Sequence, residues 1–266
     1  MKIAKANFFS SGLSPILILG ASILAGNAEA AGPTSTLYLT AGDQGQNLMV
    51  LGGTTTAIVS AQANTASGGE YAIAVSGGTV RTGGNGQFGP PAVGSTYDSN
   101  FNYIGPQLAN PLNNVLDGTT DGKFNYGVNW TSGQVYRYNL DWSSPTFLFT
   151  APTAVTYLGI SYDPFNNSLW IANGMTITDY TMGGAQLSSF NSTAERALAF
   201  DGADGTLWAM DGAGIFDQFS TNGVLLGSMN IQNTDNIIGG EFALVPEPST
   251  LALAGLASFV TFRRRK

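Results

Sequence analysis

Between residues 158 and 229 the chain alternates short apolar runs with breaks rich in Asp, Asn and Gly. The runs are five to seven residues long, the length of strands and too short for helices. Ile160–Asn173 aligns without a gap to Leu198–Asp211 at an offset of 38, setting Asp163 against Asp201, Leu169 against Leu207 and Trp170 against Trp208. Carried further, the alignment sets Ile177 against Ile215 and Asp179 against Asp217, and after a one-residue insertion Tyr180 against Phe219. Each unit predicts four strands, at 158–162, 168–172, 175–181 and 185–190, then at 196–200, 206–210, 214–220 and 224–229. Asn173-Gly174 and Asp211-Gly212 mark tight turns, because these residue types accept positive φ. Four strands at a period near 39 leave no room for a crossover helix and predict a propeller blade.

Weaker copies precede this pair. Val115–Phe124 aligns to Ala199–Leu207 with one extra residue, which sets Asp117 against Asp201, and 134–138 and 146–149 follow as third and fourth strands. Runs at 70–75, 79–81 and 101–104 suggest another unit around a Gly- and Pro-rich loop at 83–94. Runs at 37–39, 47–51 and 57–59 suggest a first unit, which a lone strand at 241–244 could complete, closing a ring. The expected architecture is all-β, a β-propeller of about five four-stranded blades, with a β-sandwich of similar strands as the alternative. Stacked blade faces would each bury an aromatic such as Trp170 or Trp208. The unit at 158–190 resembles the NHL or YVTN class of propeller repeat, where a strand ending in Asp meets a Gly/Asn turn and a Leu-Tyr/Trp strand.

The two ends differ from this body. Lys2 and Lys5, an apolar stretch over 13–24 and Ala28-Glu29-Ala30 read as a secretory signal peptide covering 1–30. At the other end, Pro246-Glu247-Pro248 precedes a short apolar run from Leu251 to Phe262 and the terminal cluster Arg263, Arg264, Arg265 and Lys266. A helix over that run reaches roughly 18 Å against a hydrocarbon core of ~30 Å, short for a lasting span. The four cations favour the cytoplasmic side and orient the tail in the membrane. The prolines leave the preceding segment extended and accessible.

In this order, the Pro-Glu-Pro, the hydrophobic helix and the basic terminus resemble a PEP-CTERM sorting signal over 245–266. The resemblance implies an exosortase-type partner that recognises Pro246, Glu247 and Pro248, cleavage near them, export through the inner membrane, and a cell-surface or extracellular destination associated with biofilm and matrix. The domain division is thus 1–30, 31–244 and 245–266.

Without its ends the body keeps four cations (Arg81, Lys123, Arg137 and Arg196) against fifteen acids, a net charge of −11. Such a body repels phosphate backbones, so nucleic acid is not an expected partner. The chain has no Cys and no His, which removes thiolate chemistry, ordinary zinc sites and the commonest general base. Carboxylate chemistry, as in glycoside hydrolysis, stays open. Asp201, Asp204 and Asp211 stand beside glycines, with Asp117 and Asp121 recurring earlier, and are weak calcium candidates; their spacing is not that of an EF-hand, and turn capping is the preferred reading. Glu195-Arg196 reads as a loop ion pair. Tyr97, Phe101, Tyr103 and Tyr126 are candidates for stacking on sugar rings, with core packing as the other reading. No catalytic residue and no required cofactor is assigned. The reading is an exported, non-enzymatic protein binding exopolysaccharide or surface proteins, with a carboxylate-based enzyme on extracellular polysaccharide as the alternative. Paired carboxylates in a cleft near the axis would favour the enzyme; an axis of Ser, Thr and backbone would favour the binder.

Overall fold

The computed structural model describes residues 33–244 apart from 42–46, 52–57, 63–68, 85–93, 107–113, 153–157, 195, 212–213 and 232–235, and it describes 47–51 and 58–62 in backbone only. The stretch expected to be a signal peptide and the tail expected to carry a hydrophobic helix lie outside the described residues.

Strands β1 (Leu37–Ala41), β2 (Asn47–Leu51) and β3 (Ile58–Gln62) come first. Then follow β4 (Glu70–Ser76), β5 (Thr79–Gly84), β6 (Ser95–Asp98) and β7 (Tyr103–Pro106). The next group is β8 (Val115–Thr120), β9 (Asn125–Asn129), β10 (Gln134–Tyr138) and β11 (Thr146–Thr150). The two recognised repeats supply β12 (Gly159–Asp163), β13 (Ser168–Ala172), β14 (Thr176–Thr181) and β15 (Gln186–Asn191), then β16 (Leu198–Asp201), β17 (Thr206–Met210), β18 (Ile215–Ser220) and β19 (Leu225–Asn230). β20 (Ile237–Phe242) is last.

Among the described residues these strands pair into five four-stranded antiparallel sheets, four of them in simple chain order. The remaining sheet runs β20-β1-β2-β3, so the last strand completes the first blade. β20 lies along β1 from Leu37↔Phe242 to Ala41↔Ile237, four residues earlier than the expected strand at 241–244.

The first strand of each sheet faces the centre, and these strands pack in a ring: β4 on β8, β8 on β12, β12 on β16, β16 on β20 and β20 on β4. A sandwich is therefore excluded. The inner strands run parallel, as their cross-links show. Asp117 of β8 binds the N–H of Ile160 on β12, and Thr119, two residues on, binds the N–H of Tyr162. Asp117 also reaches Leu198 of β16, and Ser161 reaches Phe200. All inner strands therefore end on one face, from which the turns to the second strands leave.

Blade contacts are apolar and aromatic. Trp208 packs with Leu37, Leu39 and Phe216, and Trp170 with Leu198, Phe200 and Leu207, all of them buried. Pairing shows how the next blade differs. Ser161 pairs with Trp170 and Ala199 with Trp208, but at the same level Gly118 pairs with Gly127. Trp142, from the β10–β11 turn, fills the vacated space: its Cη2 lies 2.5 Å from where a Cβ on Gly118 would sit. It is fully buried, adopts φ 62° and meets Tyr138 edge-on at 5.6 Å.

Two alignments from sequence are corrected. Ala172 pairs with Ile177 and Met210 with Phe216, so Ile177 corresponds to Phe216 and Asp179 to Gln218. The extra residue thus falls in the turn before β18. Thr120, not Asp117, closes its strand as Asp163 and Asp201 close theirs, because these three pair with the first residues of the second strands.

Candidate functional site

That shift places Asp117 inside β8, at the ring's centre. The inner edges of the innermost strands carry N–H groups with no neighbouring strand, and each needs an acceptor. Asp117 supplies four. Its Oδ1 accepts from Gly118 and Gly240, both at 2.9 Å, and its Oδ2 from Ile160 at 2.9 Å and Leu198 at 3.0 Å. One carboxylate so ties together the inner strands of four blades. Burial pushes its pKa up to about 8, with the four backbone N–H groups pulling the other way.

Threonines and a serine extend the seam. Thr119 Oγ1 accepts from Tyr162 N–H at 2.9 Å and donates to Glu241 Oε1 at 2.9 Å. Ser161 Oγ accepts from Phe200 N–H at 2.8 Å. Thr40 Oγ1 donates to the Tyr71 carbonyl at 2.6 Å and accepts from Gly239 N–H at 3.1 Å. Gly239 must be glycine: a Cβ would stand 2.5 Å from the Tyr71 oxygen and 2.8 Å from Thr40 Oγ1. Glu241, 4% exposed, has a pKa raised well above the usual range by burial, opposed by the Thr119 hydroxyl and reinforced by Asp117. Its Oε2 has no hydrogen-bond partner among the described residues. A third buried acid, Glu70, accepts from the hydroxyls of Thr82, Ser95 and Tyr97, and burial raises its pKa as well.

Chemically, Asp117 is spent. A carboxylate offers about four acceptor positions, and backbone N–H groups occupy them all. The axis therefore meets both expectations in part: it holds two carboxylates, and it is lined by Thr, Ser and backbone.

The calcium candidates do not converge. Asp201 accepts from Ser35 N–H and Oγ at 2.8 and 2.6 Å and from Ala203 N–H at 3.0 Å. Asp204 binds Thr34 at 2.7 Å and Thr206 at 2.7 and 3.1 Å. Asp211 caps its own turn through Ile215 N–H at 3.1 Å. Among the described residues no three acidic side chains gather to hold a metal ion. Instead, the first two clasp the segment before β1.

Of the four stacking candidates, Tyr97, Phe101 and Tyr126 are core, 1%, 6% and 4% exposed, while Tyr103 on β7 is 47% exposed. Phe101 turns inward at φ 59° to meet Tyr38 and Tyr97 edge-on, and Tyr126 stacks on Tyr162 and donates to Asp121. Phe147, exposed on β11, was not singled out from sequence. Glu195, like the sorting residues 246–248 and 263–266, lies outside the described residues. Glu241 was missed as a site residue, although it is an acid within the strand expected at 241–244, and Asp117 reads from sequence only as an acid of a turn.

A family model described as the PEP-CTERM protein-sorting motif matches residues 244–266. No curated protein matches the chain. Among solved structures, one chain in the crystal structure of a nidogen/laminin complex is 11% identical, with 79% of this chain and 98% of that chain covered and a TM-score of 0.54. A functionally unknown protein from Desulfotomaculum acetoxidans is 10% identical, with 77% and 86% covered and a TM-score of 0.50. At these identities the likeness is one of fold. The motif implies export across the inner membrane, a surface or extracellular destination and processing by an exosortase-type enzyme. The chain is a propeller body that carries a PEP-CTERM sorting motif directly behind its last strand.

Proposed function

We propose that the sorted propeller is a non-enzymatic binder of exopolysaccharide or of protein partners at the cell surface or in the surrounding matrix. The observation that carries this reading is the saturation of Asp117: this buried acid on an inner strand has all its acceptor positions filled by backbone N–H groups of four blades. A group so engaged holds strands together and has no lone pair left for a substrate proton. Exposed Tyr103 and Phe147 on the outer strands β7 and β11 offer apolar faces to a polymer. A glycan array combined with a hydrolysis screen of the native polymer tests the reading. Binding without turnover, weakened by Tyr103→Ala or Phe147→Ala, is expected. Turnover abolished by Glu241→Gln would overturn it.

The enzyme reading keeps one point in its favour. Glu241 sits close enough to Asp117 to feel its charge and leaves one oxygen unpaired. A raised-pKa acid beside a second carboxylate is the arrangement of glycoside hydrolases. Against it stands burial, since both side chains are enclosed.

A further inference from the structure

Both ends of the body leave from one face of the propeller. β20 finishes with Phe242 opposite Leu37, so the chain enters β1 and exits β20 at the same level. The entry is clasped there by Asp201 and Asp204, at the end of β16 and in the turn that follows it. The exit is pinned further: Ala243 N–H reaches the Thr36 carbonyl at 3.4 Å, and Leu244 Cδ1 lies 3.4 Å from where a Cβ on Gly122 would sit. Gly122 belongs to the turn between β8 and β9, on the face where the inner strands end.

The sorting motif begins at this point. Its match starts at residue 244, and Pro246 is only two residues past the pinned Leu244. Consecutive Cα atoms are 3.8 Å apart, so Pro246 stays within ~8 Å of Leu244 whatever path the chain takes. No linker separates the propeller from the segment to be recognised. Around the exit lie the short turns Asp121–Phe124, Pro164–Asn167 and Gly202–Gly205, with Phe165 68% exposed among them.

We infer that this face, centred on the end of β20, is the docking surface for the membrane-embedded sorting enzyme, and that the propeller is held with this face toward the membrane while it is processed. The inference rests on the sorting reading of residues 244–266. An enzyme that grips Pro246 must come into contact with the turns around Gly122. The opposite face, with the Thr131-Ser132 turn between β9 and β10, then points away from the membrane.

The chain has no cysteine, so single cysteines can be placed and labelled without background. Lys123→Cys puts a label beside the exit, and Ser132→Cys puts one on the far face; both positions are exposed. Each full-length variant, labelled with a bulky maleimide–polyethylene glycol, is presented to membranes containing the sorting enzyme, and the processed fraction is followed over time. Loss of processing with label at 123, and parent rates with label at 132, is expected. A Gly/Ser spacer of about 12 residues between Leu244 and Val245, which spans roughly 20 Å, should restore processing of the labelled Lys123→Cys chain. Equal rates for both labelled variants, or a block at 123 that the spacer does not relieve, would overturn the inference. If the unlabelled parent is not processed, or changing Pro246, Glu247 and Pro248 to Ala leaves processing intact, the sorting reading itself fails and the inference falls with it.

Discussion

Replacing Asp117 by Asn tests whether one side chain holds the ring. Asn is nearly isosteric but carries one acceptor oxygen and one NH2 group. In either orientation, two of the four N–H groups on Asp117 would face a donor, either Gly118 and Gly240 or Ile160 and Leu198. A buried donor without an acceptor costs ~1–3 kcal/mol, so two cost about 2–6 kcal/mol. Against a total stability of ~5–15 kcal/mol this is a large fraction. For a domain of this size it lowers the melting temperature by on the order of 10 °C. Ser161→Ala provides the graded comparison: it removes one acceptor, that of Phe200 N–H. Thermal and urea unfolding of Asp117→Asn, Ser161→Ala and the parent should rank in that order, least stable first. Asp117→Asn melting within about 2 °C of the parent, or no lower than Ser161→Ala, would refute the claim that the axial carboxylate ties the blades together.

Further outcomes follow from the same structure. Burial raises the pKa values of Glu241 and Glu70 above their usual range, so the folded state holds protons that the unfolded state releases; stability is full below the unfolded carboxylate pKa and falls as pH rises through the raised folded values, a slope that unfolding between pH 5 and 9 will show and that Glu241→Gln will flatten. Trp142→Ala empties the space above Gly118 and costs ~3–5 kcal/mol in urea unfolding, as a large buried aromatic does. Ser35→Ala removes one bond to Asp201 and costs only ~1 kcal/mol, so its clearest readout is faster hydrogen exchange or proteolysis in the segment before β1, with the rest of the chain unchanged.

What the sequence made legible depended on repetition. The units holding Trp170 and Trp208 share a period, and their strands stand within about two residues of the expected ones. Where a blade departs from the common pattern, the reading faltered for physical reasons. Gly127 takes the place of the strand tryptophan, and its replacement, Trp142, comes from a turn fifteen residues later that no local pattern marks. β6, only four residues long, follows directly on Gly- and Pro-rich sequence and was not separated from it. Asp117-Gly118 looks like a turn because Asp-Gly so often is one; only the ring, which brings N–H groups from residues 160, 198 and 240 to one point, makes it a strand interior. The calcium candidates and three of the four aromatics were visible as residues, but their partners lie far away in sequence, as with Asp201 and Ser35 across 166 positions.

Closing the first blade with the last strand also sets an order of events in time. Thr40 and Gly239 meet across 199 residues, among the longest-range contacts the chain can make, and contacts of this kind form late and slowly. A chain exported from its N-terminus presents β1 to β3 early but cannot shut the ring until β20 has crossed, only a few residues ahead of Pro246. In a chain exported in that direction the propeller would stay open for almost its whole passage. Ring closure and arrival of the sorting motif become nearly one event, so the substrate that reaches the sorting enzyme is a chain just able to complete its fold.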